Sequence, residues 1–284
     1  MSDKIIALVD GSIYSHSVCD HAAWVATRAG APVEVMHVLA RPEGVAGADL
    51  SGSIRLGART ALLQELASLD EKRAKLMQHH GRALLDDAKA RVEAAGVRDV
   101  STRLRHGDIV EAVATQEAGA AMIVIGKRGE AADFAKGHLG SNLERIVRAS
   151  HKPVLVASRA FRAVGTVLVA CDGGASSTKA VAHVAQSPVY AGLSVTLVWV
   201  GADTAEAQKV LADALAIMRA AGAKAETLVL PGQPDTALGA HVEVAGVDLV
   251  VMGAYGHSRI RSLIIGSTTT AMVRSCKVPV VLVR

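Results

Sequence analysis

The sequence predicts an α/β fold of two tandem, doubly wound domains, each built on a five-stranded parallel sheet. Three observations predict it. Short β-branched apolar runs alternate with Ala-rich helical stretches along the whole chain, the mark of βαβ units. The succession occurs twice, so the chain contains an internal repeat. Half of the 284 residues are apolar but only seven are aromatic, so the core is made of Ala, Val, Leu and Ile, the usual filling of helix-covered parallel sheets.

Each copy opens on a strand, IIALVDGS at 5–12 and TVLVACDGG at 166–174. An Ala-rich helix follows, then a second strand, VEVMHVL at 33–39 and SVTLVWV at 194–200. Gly-containing turns (HGD at 106–108, PGQPD at 231–235) lead into a short helix and another apolar strand. A glycine-rich loop, an amphipathic helix and a last strand, KPVLVAS at 152–158 or KVPVVLVR at 277–284, complete each copy. Right-handed crossovers place helices on both sheet faces. The predicted domains are 1–158 and 165–284.

The spacing between copies locates a difference. Asp10 and Asp172 are 162 positions apart, but Gly107 and Gly232 are 125 apart. The first copy therefore carries 37 extra residues between its second and third strands. The segment 41–95 reads as a loop to about residue 57 and then a long helix, with Gly81 a candidate break. Leu62, Leu66, Leu69, Leu76, Leu84 and Val92 form an apolar stripe along it. A lid, a dimerisation arm and extra packing on its own domain are the competing readings.

Composition excludes several classes. The net charge of +4 is mild and no dense Lys/Arg run occurs, so no nucleic-acid footprint is expected. Scarce aromatics also argue against stacking on single strands. Cys19, Cys171 and Cys276 are far apart and embedded in apolar runs, which favours reduced core thiols over a disulfide or zinc framework. No apolar run suits a signal peptide or a membrane span, so a cytoplasmic location is expected. His79-His80 lacks a carboxylate or thiol partner at metal-ligand spacing and reads as a solvated helix face.

The segment 251–270, VMGAYGHSRIRSLIIGSTTT, carries the chemistry. An apolar strand runs into Gly253 and Gly256, then a basic loop, then Gly266-Ser267-Thr268 opening a helix. Glycine permits close approach and positive φ, and a helix N-terminus with hydroxyl side chains suits an anion. The first copy repeats the plan with Gly126, Gly129, Gly140 and Ser141. Its loop encloses ten residues between Gly129 and Gly140 where the second has nine, and adds Glu130 and Asp133, partly offset by Lys127, Arg128 and Lys136. In such sheets ligands lie beyond the carboxyl ends of the strands, where Asp10 and Asp172 follow the first strands. Each carboxylate suits a ribose hydroxyl, a phosphate-bound metal, or a helix cap with Ser12 or Ser176 as the alternative.

The spacing Gly253-x2-Gly256-x9-Gly266-Ser267 resembles the ATP-binding loop of the universal stress protein family. Asp10-Gly11-Ser12, Asp172-Gly173-Gly174, His37-Val38 and the final strands with Pro153 and Pro279 support a tandem member. The resemblance implies strand order 3-2-1-4-5 and binding of ATP with magnesium or manganese. It implies a site of Asp172, Val200, Gly253, Gly256, Gly266, Ser267 and Thr268, with His257, Arg259 and Arg261 as weaker additions. The first-copy counterparts are Asp10, Val38, Gly126, Gly129, Gly140 and Ser141, ranked below the second copy. The resemblance further implies an intramolecular pseudo-dimer through the final strands, with homodimerisation left open. A stress-response regulator or sensor binding ATP chiefly in the second domain is the first reading; an interaction scaffold without nucleotide, or a slow ATPase or adenylating enzyme, is the alternative. No P-loop, dinucleotide fingerprint or hydrolase elbow is present, and no general base is evident for water attack.

Overall fold

The computed structural model describes residues 3–40, 56–129, 140–254 and 266–284, with side chains in the long helix described from residue 64. The first half runs β1 (Lys4–Leu8), α1 (Ser15–Ala29), β2 (Val33–Leu39), α2 (Leu56–Ala94), β3 (Val100–His106), α3 (Ile109–Glu117), β4 (Ala120–Gly126), α4 (Ser141–Ala149) and β5 (Val154–Ala157). The second runs β6 (Thr166–Ala170), α5 (Ala175–Gln186), β7 (Ser194–Val200), α6 (Ala205–Ala220), β8 (Glu226–Leu230), α7 (Pro234–Val244), β9 (Leu249–Gly253), α8 (Ser267–Ser275) and β10 (Val280–Val283). A 3-10 turn at Pro188–Tyr190 follows α5.

All ten strands form one sheet in the order β3-β2-β1-β4-β5-β10-β9-β6-β7-β8. Each half has the expected order 3-2-1-4-5 with parallel pairing throughout. The halves join by one antiparallel ladder, β5 on β10, with Val280 opposite Val156 and Leu282 opposite Val154. Pairing the final strands removes two exposed sheet edges and makes the chain a pseudo-dimer of its own repeat.

Side-chain alternation splits the core into two layers. Ile5, Ala7, Val33 and Val35 face one layer with α1, α2 and α5, while Ile6, Leu8, Met36 and Ile123 face the other with α3 and α4. Contacts across the join reinforce the ladder. Arg28 of α1 donates to the carbonyls of Val189 and Ala191. Arg284 Nη1 donates to Arg148 O at 2.7 Å. His21, fully buried in α1, meets Phe161 of the connector edge-on at 5.0 Å.

Within the described residues the insertion forms one continuous helix, α2. Gly81 does not break it, contrary to the sequence expectation; a Cβ there would lie 2.9 Å from Leu104 Cδ1 and 3.0 Å from His37 Cδ2, so glycine lets α2 cross the sheet closely. Leu85, Ala88 and Val92 are buried and Leu84 packs against the same layer. The stripe does not stay covered N-terminal to this: Leu69 is 55% and Leu76 70% exposed. At 1.5 Å per residue α2 is about 58 Å long, and only its C-terminal part serves the domain core. Packing on its own domain therefore accounts for the C-terminal stretch of the helix from Gly81 to Ala94.

The first half also buries a charge. Glu34 is 3% exposed and accepts from Arg103 Nη2 at 2.8 Å and pairs with Lys4 Nζ at 3.0 Å. Burial pushes its carboxyl up, but the bonds from Arg103 and Lys4 overcome this and hold it below the ordinary value. Thr196 occupies the equivalent place in the second half. Glu34→Ala is expected to cost about 2 kcal/mol, since a half-buried Arg and Lys lose their only shared counter-charge. Urea unfolding at pH 7 measures this, and the loss is expected to be absent in a Glu34→Leu/Lys4→Leu/Arg103→Leu chain.

Candidate functional site

The crevice at the carboxyl ends of β1 and β4, where strand order reverses, opens into a cavity of about 440 Å³ in the first domain. Asp10, Val38, Gly126, Gly129, Gly140 and Ser141, all named from sequence, line it. Five are placed by strand ends or the N-terminus of α4, so the switch-point rule brings them together.

The turn after β1 is fixed by local bonds. Asp10 Oδ1 accepts from Ser12 N at 3.1 Å, and Ser15 Oγ accepts from Asp10 N at 3.2 Å and Gly11 N at 3.1 Å. The second domain repeats this, with Asp172 Oδ1 accepting from Gly174 N at 2.8 Å and Ser177 Oγ from Asp172 N at 3.1 Å. Gly11 and Gly173 take φ of 78° and 74°, which is the left-handed conformation that glycine supplies without strain. Each aspartate thus folds its own turn, and Ser176, expected as a possible cap, instead lies inside α5.

The glycine loops work differently from expectation. None of Gly126, Gly129, Gly140, Gly253 and Gly266 is among the positive-φ residues. Gly126 and Gly253 are needed by packing: a Cβ would lie 2.7 Å from Tyr14 Cβ in one, and 2.9 Å from Ser176 Cβ and Ser177 N in the other. Their absent side chains let β4 and β9 meet the start of α1 and α5. Gly129 faces the site, since a Cβ there would lie 2.8 Å from Asp10 Oδ2. The loop ends are tied alike in both copies, Gly140 N donating to Lys127 O and Gly266 N to Ala254 O, each at 3.4 Å. Both ties sit at the start of a nine-residue helix that opens on serine, α4 at Ser141 and α8 at Ser267. Thr268 follows in the first turn of α8, and Val200 ends β7 opposite Leu230. Gly256, His257, Arg259, Arg261, Glu130, Asp133 and Lys136 lie outside the described residues.

Lys127 does not face the crevice. Its amine crosses the join and donates to Cys276 O at the C-terminus of α8. Burial pushes its pKa down, with Arg128 adding to the effect and Cys276 opposing it. Arg128 remains on the cavity wall, as does Arg145, whose Nη2 donates to Asp108 Oδ2 at 2.6 Å. Asp108 caps α3, and its carboxyl is held low first by Arg145. His37 lines the cavity and bonds Val9 O through Nδ1 at 2.8 Å. Met77 and His80 of α2 complete the wall, so His80 is not a purely solvated residue. Met77 and His80 were not named as site residues because they approach the crevice from a helix distant in sequence, and Asp108 and Arg145 because their pairing across 37 positions appears only in the fold.

Cys171 is buried and its thiol is pushed up to about 12 by desolvation, with Asp172 also raising it, so it serves as a small core residue. The three cysteines are free and buried. Among the described residues no helix is long and apolar enough to cross a membrane.

Two parallel α/β halves with paired final strands and a serine-opened helix at each switch-point loop define a tandem protein of the doubly wound α/β class. The universal stress protein family matches residues 1–158 and 164–284. Over 285 residues the chain is 36% identical to the universal stress protein Slr1230 of Synechocystis sp., covering 99% of each. A solved universal stress protein from Archaeoglobus fulgidus has the same fold, with a TM-score of 0.71 at 21% identity over 100% of this chain and 99% of that one. The chain belongs to the universal stress protein family.

Proposed function

We propose that the chain binds ATP, with magnesium or manganese, in its switch-point crevices, and acts in the cytoplasm as a stress-response regulator or sensor. One observation carries this reading. In both copies a turn-locked aspartate stands by a loop whose ends are tied at the N-terminus of a serine-opened helix. The free N–H groups of α4 and α8 favour anionic oxygen, and Ser141, or Ser267 with Thr268, adds hydroxyl donors. In the first domain Arg128 adds positive charge, and the cavity volume falls in the usual range for small-molecule sites, roughly 300–1,000 Å³. Loop spacing favours the second domain; the cavity at the first crevice supports the first as well.

The oxygen donors at Asp10, Ser12 and Ser141, and at Asp172 and Ser267, are of the kind a hard divalent cation takes. When bound, the cation neutralises charge between carboxylate and polyphosphate. Each aspartate then serves either the cation or a ribose hydroxyl, as its position beyond the first strand allows. Without a base directed at a γ-phosphate, hydrolysis is expected to be slow.

Mass spectrometry of nucleotide co-purifying with the native protein tests the reading. ATP is expected in the wild type, reduced in Gly266→Glu and lost in Gly140→Glu/Gly266→Glu. Gly140 has φ of −59° and no atom within 3.4 Å of a Cβ, so glutamate there repels phosphate without straining the backbone. A wild-type chain that is empty and ignores added Mg-ATP in calorimetry refutes the proposal.

A further inference from the structure

The two crevices are not roofed alike. From Leu84 onward α2 superposes in role on α6: a Cβ at Gly11 would lie 3.1 Å from Leu84 Cδ1, and one at Gly173 would lie 2.9 Å from Val210 Cγ2. Both helices end before a positive-φ glycine, Gly96 and Gly222. These two pairs fix the same spacing, which sets Met77 against Asp203 and His80 against Glu206. In the second domain α6 begins at Ala205, capped by Thr204, so the helix starts here with acidic residues. In the first domain α2 runs on through this point, and the cavity wall receives a thioether and an imidazole instead.

The placement of His80 is specific. Its Nε2 lies 3.9 Å from where a Gly11 Cβ would stand, directly over the turn that positions Asp10. Met77, three residues earlier, is on the same helix face and is 46% exposed, so it borders the cavity mouth. An imidazole beside a polyphosphate donates a hydrogen bond, whereas carboxylates at the same place repel it. A polarisable thioether packs well on the face of a planar ring.

We propose that Met77 and His80 are ligand-contacting residues that the long helix α2 supplies to the first domain alone. His80 donates to a ribose or phosphate oxygen beside the Asp10 turn, and Met77 lies against the base. This inference rests on the ATP reading and assigns α2 a share in nucleotide selection in the first domain.

The test uses the full chain carrying Gly266→Glu, which leaves the first crevice as the ATP site. Mg-ATP is titrated by calorimetry into this parent and into its His80→Ala, His80→Gln and Met77→Ala derivatives. His80→Ala is expected to weaken binding about tenfold, the worth of one hydrogen bond to a charged group, and His80→Gln to recover most of it by restoring a donor. Met77→Ala is expected to weaken ATP more than inorganic triphosphate, which has no base. Because both side chains are at the surface of α2, thermal melting is expected to be unchanged. ATP bound equally by parent, His80→Ala and Met77→Ala overturns this inference and leaves the ATP reading intact. ATP bound by the wild type but not by the Gly266→Glu parent also overturns it, confining nucleotide to the second domain. ATP bound by neither overturns both.

Discussion

Gly253→Val is expected to lower stability by about 3 kcal/mol, near the upper end for overpacking a close-packed site. The new Cβ would stand 2.9 Å from Ser176 Cβ and Ser177 N and 3.0 Å from Ser176 C. Two of these atoms are backbone, so relief requires β9 and α5 to separate rather than a side chain to rotate. The melting temperature is expected to fall by roughly 5–10 °C for a chain of this size, and the Gly266–Ser267 end of the loop loses its support. Gly126→Val repeats the experiment in the first domain, against Tyr14 Cβ at 2.7 Å. Gly239→Ala is the contrast. This glycine lies inside α7 with nothing within 4 Å of a Cβ, so alanine is expected to stabilise by about 0.5–1 kcal/mol. Calorimetric melts of the three variants separate glycines kept for packing from one that is not; a neutral Gly253→Val would refute the close-approach account.

Acidification from pH 7 to 5 is expected to remove about 2 kcal/mol of stability through His183, with His21 acting in the same direction. Burial depresses the pKa of His21, against the bond to Ser17 and the charge of Asp20, and takes that of His183 down to about 4. The folded chain therefore keeps both imidazoles neutral while the unfolded chain takes up protons below its ordinary value near 6.5. Stability is complete above that value and falls as pH drops toward 4, by about 1.4 kcal/mol per unit for His183, and in the same direction for His21. The low-lying carboxyls of Glu34, Asp108, Glu117 and Asp248 lose their contribution only at lower pH, so the window from 6.5 to 5 isolates the histidines. His183 bonds Tyr190 Oη at 3.1 Å and His21 packs on Phe161 of the connector, so the loss falls on the contacts around the join. Urea unfolding across this window measures it, and His183→Gln is expected to reduce the slope; a flat profile in the wild type would exclude neutral burial.

The sequence by itself determined the fold class, the repeat and the chain positions at the strand ends, because hydrophobic periodicity is local. The strand order of each half came from the resemblance of the glycine loops, since right-handed crossovers alone permit more than one order of five parallel strands. Asp10 after β1 and Gly126 after β4 reach the same cavity because that order pairs their strands. The tertiary structure decided what each residue does there. Gly126 and Gly253 carry the same motif letters as Gly129, yet they serve helix packing, because Tyr14 and Ser176 lie opposite them. Lys127 reads as a charge that offsets the acidic loop, but Cys276, 149 positions away, supplies an acceptor for it across the join. The leucines of α2 form one stripe, but Val92 finds a sheet beneath it while Leu69 and Leu76 find none. His80 looks solvated until the helix brings it over Gly11. A side chain's role is set by what lies opposite it in space, and in these cases the opposite residue belongs to another element, which only the packed structure places.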